Sequence, residues 1–219
     1  MRTRHLPTVL ALAAIAATLP RADAPAAPPA IEGVQVEFAD PLIDARAASV
    51  QRTAVTATNY LGQKLVAEIN VALRKGTLEE AIAAVHLRSM SADGQAVPGM
   101  PKIKAFKLTS LRLINAANAP DYAEQQVLDE ISRLTRSATK PPDLLVQHIA
   151  LPDGTEEWRG YRPLAVLPLC LACHGPSEGK PPGVRALLAQ RAGSTPAVGY
   201  KAGEWRGLMR VTIEAPPKA

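Results

Sequence analysis

The sequence predicts an α+β domain: a small antiparallel sheet behind a long N-terminal helical hairpin. Three observations carry this expectation. Apolar residues recur every three to four positions from Pro41 to Lys75, the period of an amphipathic helix. Two strand-like runs, Leu144–Ala150 and Glu157–Leu167, flank the turn sequence Pro152-Asp153-Gly154-Thr155. The strands come late and pair locally, which fits a separate antiparallel sheet and not a parallel one built from β-α-β units.

The elements follow in order. In the first helix the apolar positions include Leu42, Ala45, Val50, Val55, Leu61, Leu65, Ile69 and Leu73, with Gly62 as a weak spot. Gly76 suits its C-terminal end. Thr77 with Glu80 three residues on is a capping box for a second helix over 78–90. The very short turn makes the two a hairpin. Residues 91–120 contain Gly94, Pro98, Gly99, Pro101 and Pro120 and read as loop, with an extended stretch at Lys107–Leu113. Asp121 caps a third helix over 122–137, whose apolar side carries Val127, Leu128, Ile131 and Leu134. The hairpin comes next, then a short helix over 181–191 and a closing strand over 206–214.

The N-terminus has the pattern of a secretory signal peptide over residues 1–24. Arg2, Arg4 and His5 precede an apolar run of 14 residues, Leu6–Leu19, too short to span a bilayer. Ala22-Asp23-Ala24 supplies the small-residue cleavage pattern, with Ala27 as a rival end point because Pro25 disfavours the first. Residues 25–40 are rich in Pro and Ala and read as a linker. Residues 41–215 then form one domain, with no membrane span in the mature chain. Loss of residues 1–24 removes three arginines and one aspartate and brings the formal charge from +5 to +3. The basic residues are scattered and no aromatic platform accompanies them, so nucleic acid is excluded as a partner. The long first helix is a candidate homodimer face.

The chain has two cysteines, and both lie in Cys170-Leu171-Ala172-Cys173-His174. C-x-x-C-H is the spacing that attaches haem c: two thiols add across the two vinyl groups of one porphyrin, and the histidine that follows ligates the iron. One covalent haem is therefore expected, with His174 as the proximal ligand. Export agrees, because thioether attachment is an extracytoplasmic chemistry. A thiol–disulfide oxidoreductase wants its first cysteine at a helix N-terminus after a strand, and Leu167-Pro168-Leu169 gives no such context. A zinc site would need two more ligands and no second paired motif exists.

The sixth iron ligand has to come from elsewhere. In the mature chain the remaining imidazoles are His86 and His148, and the methionines are Met90, Met100 and Met209. His86 sits in the apolar stretch Ala81–Leu87, where an unpaired imidazole is costly and a metal would satisfy it. Met90 lies one turn further on and His148 in a strand beside Val146 and Ala150. The residues leave these alternatives open.

Five segments together resemble the exported single-haem-c domains with a PAS-like fold, which occur as free periplasmic or lumenal proteins and as sensor parts of membrane-bound histidine kinases. They are Ala81–His86; Ser110–Asp121, ending Asn118-Ala119-Pro120-Asp121; Trp158–Leu164; Leu169–Gly175; and Gly199–Gly207. The resemblance spans about residues 40–214. It implies a periplasmic c-type cytochrome or a haem-based gas or redox sensor acting through a separate protein. Many similar sequences carry an axial cysteine where this chain has His86. Both cysteines are already committed here, so the resemblance points to His86 as the distal ligand and to a bis-His iron. Similar sequences tend to have arginine where Leu108 and Ile114 stand, so Lys107, Arg112 or Arg159 would take over contacts to the haem propionates.

Two imidazoles leave no open iron position, which suits electron transfer with an unnamed redox partner. A sensor would exchange His86 for a gas, and a peroxidase would need a proton-handling residue beside a displaceable site. An electron carrier or sensor is expected before an enzyme.

Overall fold

The computed structural model describes residues 28–86, 102–114, 116–192 and 197–218. The chain is α+β. Five strands form one antiparallel sheet: β1 (Gln35–Phe38), β2 (Ile103–Thr109), β3 (Leu145–Ala150), β4 (Glu156–Ala165) and β5 (Trp205–Ile213), in the order β1-β3-β4-β5-β2. The helices are α1 (Ala45–Lys75), α2 (Leu78–His86), α3 (Tyr122–Arg136), α4 (Leu171–His174) and α5 (Pro182–Ala192).

Two departures from the expected elements have local causes. The first helix starts at Ala45 and not near Pro41, because the Asp44 carboxylate accepts the free backbone N–H groups of Arg46 and Ala47 at 2.7 and 3.3 Å and so fixes the N-terminus. The expected linker over 25–40 is corrected at its end: Gln35–Phe38 is an edge strand paired with β3. Its alternation is only four residues long and sits in Pro- and Ala-rich surroundings, which hid it.

The capping box expected at α2 is present, and the Asp121 cap expected at α3 is a full capping box as well. Thr77 and Glu80 exchange hydrogen bonds at α2, and Asp121 and Glu124 do so at α3. Gly76 is extended, not left-handed, so its role is space: a Cβ there would come within 2.2 Å of the Glu80 carboxylate reaching back to Thr77.

The core lies on both faces of the sheet. On one, Ala47, Val50, Ala54, Ala57 and Leu61 of α1 pack on Val146, Trp158, Met209 and Val211. On the other, Val127, Leu128 and Ile131 of α3 pack on Tyr161 and Leu208. Glu124 is fully buried beside Lys107 Nζ at 2.6 Å and Arg210 Nε at 3.3 Å, so its charge is compensated from β2 and β5. A third cluster joins Ile82 of α2, Val184 and Leu188 of α5, Ile114, Ala197 and Tyr200 around the C-x-x-C-H segment.

One ionic cluster ties the start of α1 to the β3–β4 hairpin and the C-terminal tail. Arg46 pairs with Glu156, donates to Pro216 O and lies 5.0 Å from the Trp158 ring. The Arg46 hydrogen bond holds the Glu156 carboxyl down at about 2, against an ordinary 4.5. A depressed carboxyl contributes stability that is complete above the unfolded value and vanishes as pH falls through the folded one. Glu156→Gln is therefore expected to lower the unfolding free energy at pH 7, measured by denaturant titration, by at most about 1 kcal/mol for this partly exposed pair. The difference from wild type should close between about pH 4.5 and 2. A gap that stays constant over this range would show that the charge contributes nothing.

Candidate functional site

The second half of α1 does not lie on the sheet. It roofs a cavity of about 890 Å³ whose remaining walls are the ends of β2, β4 and β5, the loop after β2, Ala81 of α2, and the C-x-x-C-H segment. Its lining is largely aliphatic, from Leu65, Val66 and Ile69 in the roof to Leu108, Leu164 and Met209 below.

The motif is delivered by a short path. After β4 the chain runs through a 3-10 turn, Pro168–Cys170, straight into α4. Cys170 and Cys173 are free thiols, half-buried, and both line the cavity with His174. Burial pushes the Cys173 thiol up, and the charges of Lys180 and Arg206 only partly draw it back. That is the reverse of what a dithiol oxidoreductase needs, since the thiolate is the reactive form.

His174 is buried, and its Nδ1 lies 2.7 Å from the carbonyl oxygen of Ala197. A carbonyl only accepts, so Nδ1 carries the proton and Nε2 bears the lone pair a metal would use. The ring also stands edge-on to Tyr200 at 6.2 Å. The backbone is fixed as firmly: Tyr200 N–H donates to His174 O and Gly199 N–H to Gly175 O, both at 2.9 Å. A helix of four residues closes few backbone hydrogen bonds of its own, here Gly175 N–H to Leu171 O at 2.9 Å. Lys180 reinforces this end of the segment, with Nζ 3.3 Å from Leu171 O and 3.0 Å from both Gly175 O and Pro176 O.

The other expected site residues divide. Arg112 lines the cavity, donating to Val198 O with its guanidinium 4.5 Å from the Tyr200 ring. Arg159 does not reach it, and its expected propionate contact is corrected. It points to the α3 face, where Asp121 takes it at 2.6 Å and Glu157 at 2.8 Å. His148 is likewise corrected as an iron ligand: it lies away from the cavity, 2.9 Å from Glu156 and stacked 4.6 Å from Trp158. Lys107 is held by Glu124 and Ala119 O. His86 is the last residue of α2 and its side chain lies outside the described atoms. Met90 and Met100 lie outside the described residues.

Sequence reasoning missed Arg162, Arg206 and Lys180. Arg162 was accessible in principle, since it falls two residues after Gly160 on the α1 face of β4. Arg206 was not, because its direction depends on an irregularity. Leu164 pairs with Gly207 but Ala165 pairs with Trp205, so Arg206 is an extra residue in β5. Such a bulge re-aims a side chain, here into the cavity wall.

The described wall carries four arginines, Arg74, Arg112, Arg162 and Arg206, and no aspartate or glutamate. Among the described residues, the Nε atoms of Arg162 and Arg206 are buried with no hydrogen-bond partner. The site is suited to a large, flat apolar molecule bearing carboxylates, with thiols for attachment and one imidazole nitrogen for a metal.

A family model described as Tll0287-like matches residues 39–214. The chain belongs to the Tll0287-like family. Among solved structures, this Tll0287-like chain is similar to the cyanobacterial heme-protein Tll0287, with a TM-score of 0.49 and 22% identity over 75% of this chain and 94% of that one. No curated protein matches it.

Proposed function

We propose that the chain is an exported, periplasmic mono-haem c-type cytochrome that carries single electrons. The observation that carries this reading is the convergence of Cys170, Cys173 and a pinned His174 on one apolar cavity of about 890 Å³ rich in arginine. That volume is within the range of cofactor sites. The family is named for Tll0287, a protein described as a heme-protein, and the reading brings that chemistry to this chain.

Cys170 and Cys173 would hold the group by thioether bonds, and His174 Nε2 would ligate the iron. His86 is proposed as the opposite ligand: Ala81, one and a half turns before it on α2, lines the same cavity, and Ile82 packs beside the two cysteines. When bound, haem c supplies a ferric/ferrous couple. The residues contribute the rest. Ala197 O keeps His174 in the ligating tautomer, Lys180 holds the helix that presents it, and the aliphatic wall excludes water.

Electron transfer is favoured over peroxidase chemistry, which needs a group to move protons beside the iron. Among the described wall residues no carboxylate and no imidazole other than His174 is present. A gas or redox sensor of PAS-like type, acting through a partner, is the second reading. The contact between α2 and α4 favours it, since a ligand change would be felt along α2.

The test is covalency. Protein matured with haem in an exporting host should keep its haem through denaturation and acid extraction, and its pyridine haemochrome should report two saturated vinyl groups. The Cys170→Ser/Cys173→Ser double variant should release all of it. Extractable haem in the wild type would refute thioether attachment.

A further inference from the structure

Resting on the haem reading above, we infer that Arg162 and Arg206, half-buried in the cavity wall, form a carboxylate-binding pair that takes the two propionates. Each of the other described cationic candidates is already engaged. Arg159 is held by Asp121 and Glu157, Lys107 by Glu124, and Arg112 by Val198 O and the Tyr200 ring. Arg74 donates its Nε to Asn70 O within its own helix. Arg162 and Arg206 are different: both line the cavity, and both have a buried Nε with no hydrogen-bond partner among the described residues.

Holding a guanidinium Nε out of water with no hydrogen-bond partner or counter-charge is unfavourable. Burial accordingly pulls the Arg206 guanidinium down from its ordinary range. No carboxylate in the described wall offsets this. A ligand carboxylate would, and guanidinium binds carboxylate in a planar two-point fashion that an ammonium cannot reproduce.

The position of Arg206 is also built. Its carbonyl accepts the Ser110 hydroxyl at 2.5 Å, and the Trp205 indole N–H donates to Gly207 O at 2.9 Å. Gly207 is required at the bulge, since a Cβ there would stand 2.4 Å from Thr109 O. Ser110, Trp205 and Gly207 thus fix the backbone that turns Arg206 into the cavity. Arg162 comes from the paired strand, where Arg162 is opposite Met209 and Leu164 opposite Gly207. The two guanidiniums therefore issue from neighbouring strands at one end of the sheet.

The test compares two probes on the full chain prepared without attached haem: iron protoporphyrin IX and its dimethyl ester, which has the same ring and no free carboxylates. Binding is followed by absorbance titration. Wild type should bind the free acid at least about tenfold more tightly than the ester, the size expected of charge-assisted hydrogen bonds. Arg162→Gln/Arg206→Gln should reduce that preference to about twofold or less while still binding the ester like wild type. Equal affinity of wild type for the two probes would overturn the pair with haem binding intact, and this comparison needs no variant to fold. An unchanged preference in a folded double variant would also overturn it. Binding of neither probe would overturn the haem reading itself, and this inference with it.

Discussion

Reduced protein carrying His86→Ala is expected to bind carbon monoxide rapidly, whereas reduced wild type is expected to give no spectral change. The reasoning starts from donor counting. The chain has two thiols, and on the proposed reading thioether bonds take both. His148 is engaged by Glu156 and Trp158 away from the cavity. On the proposed reading His86 is the imidazole of residues 25–219 that is left to stand opposite His174. Two strong-field nitrogen ligands keep iron low-spin and leave no position for a diatomic gas. Alanine removes one of them, so the oxidised variant should turn high-spin and the reduced one should take up the gas. Neutral imidazole also donates less charge to ferric iron than a thiolate, so the wild-type potential should lie above that of Cys-ligated relatives. An unchanged low-spin spectrum in His86→Ala would refute the assignment. It would direct attention to Met209, a fully buried thioether in the described wall.

Gly160→Ala is expected to destabilise the protein by about 1–3 kcal/mol, the usual range for forcing extra volume into a packed core. A Cβ at this position would stand 2.3 Å from the Ala54 Cβ, with Val211 Cγ2 at 3.4 Å. The neighbour is a short side chain on a helix backbone, so no flexible end can move aside. The helix must lift from the sheet instead. For a domain of this size each kcal/mol is worth roughly 2–4 °C of melting temperature. Thermal unfolding of the holoprotein measures the loss. A second change, Ala54→Gly, removes the clash and should recover part of it, after allowance for the cost of glycine within a helix, about 1 kcal/mol. Additive losses in the double variant would show that the two residues do not compete for space.

Much of the fold was legible because local signals agreed with it. The capping pairs Thr77–Glu80 and Asp121–Glu124 start helices where the sequence pattern places them, and the Gly154 turn joins β3 to β4 as expected. The cavity-facing motif was legible because five consecutive residues encode it. What failed did so for geometrical reasons. Arg159 and Arg162 are three residues apart in one strand, so they face opposite sides of the sheet, and only the placement of α1 and α3 decides which side holds the cavity. His148 is on the α1 side with Val146 and Trp158, but beside Glu156 under the start of α1 and not under its second half. Arg206 turns inward through a one-residue shift between strands distant in sequence, and no local pattern announces such a shift. Lys180 reads as an ordinary surface lysine until the loop around it folds back on the carbonyls of α4.

At 1.5 Å per residue, α1 is roughly 46 Å long, about 1.4 times the length of the longest strand beneath it. Its buried positions stop at Leu61, and beyond that point it faces the cavity. One continuous helix therefore belongs to two cooperative units. Its first half can open only when the sheet unfolds. Its second half draws its stability from whatever fills the space beneath it. Ligand occupancy and local opening of that half are thus linked equilibria, and a covalently tethered ligand cannot be diluted away from it.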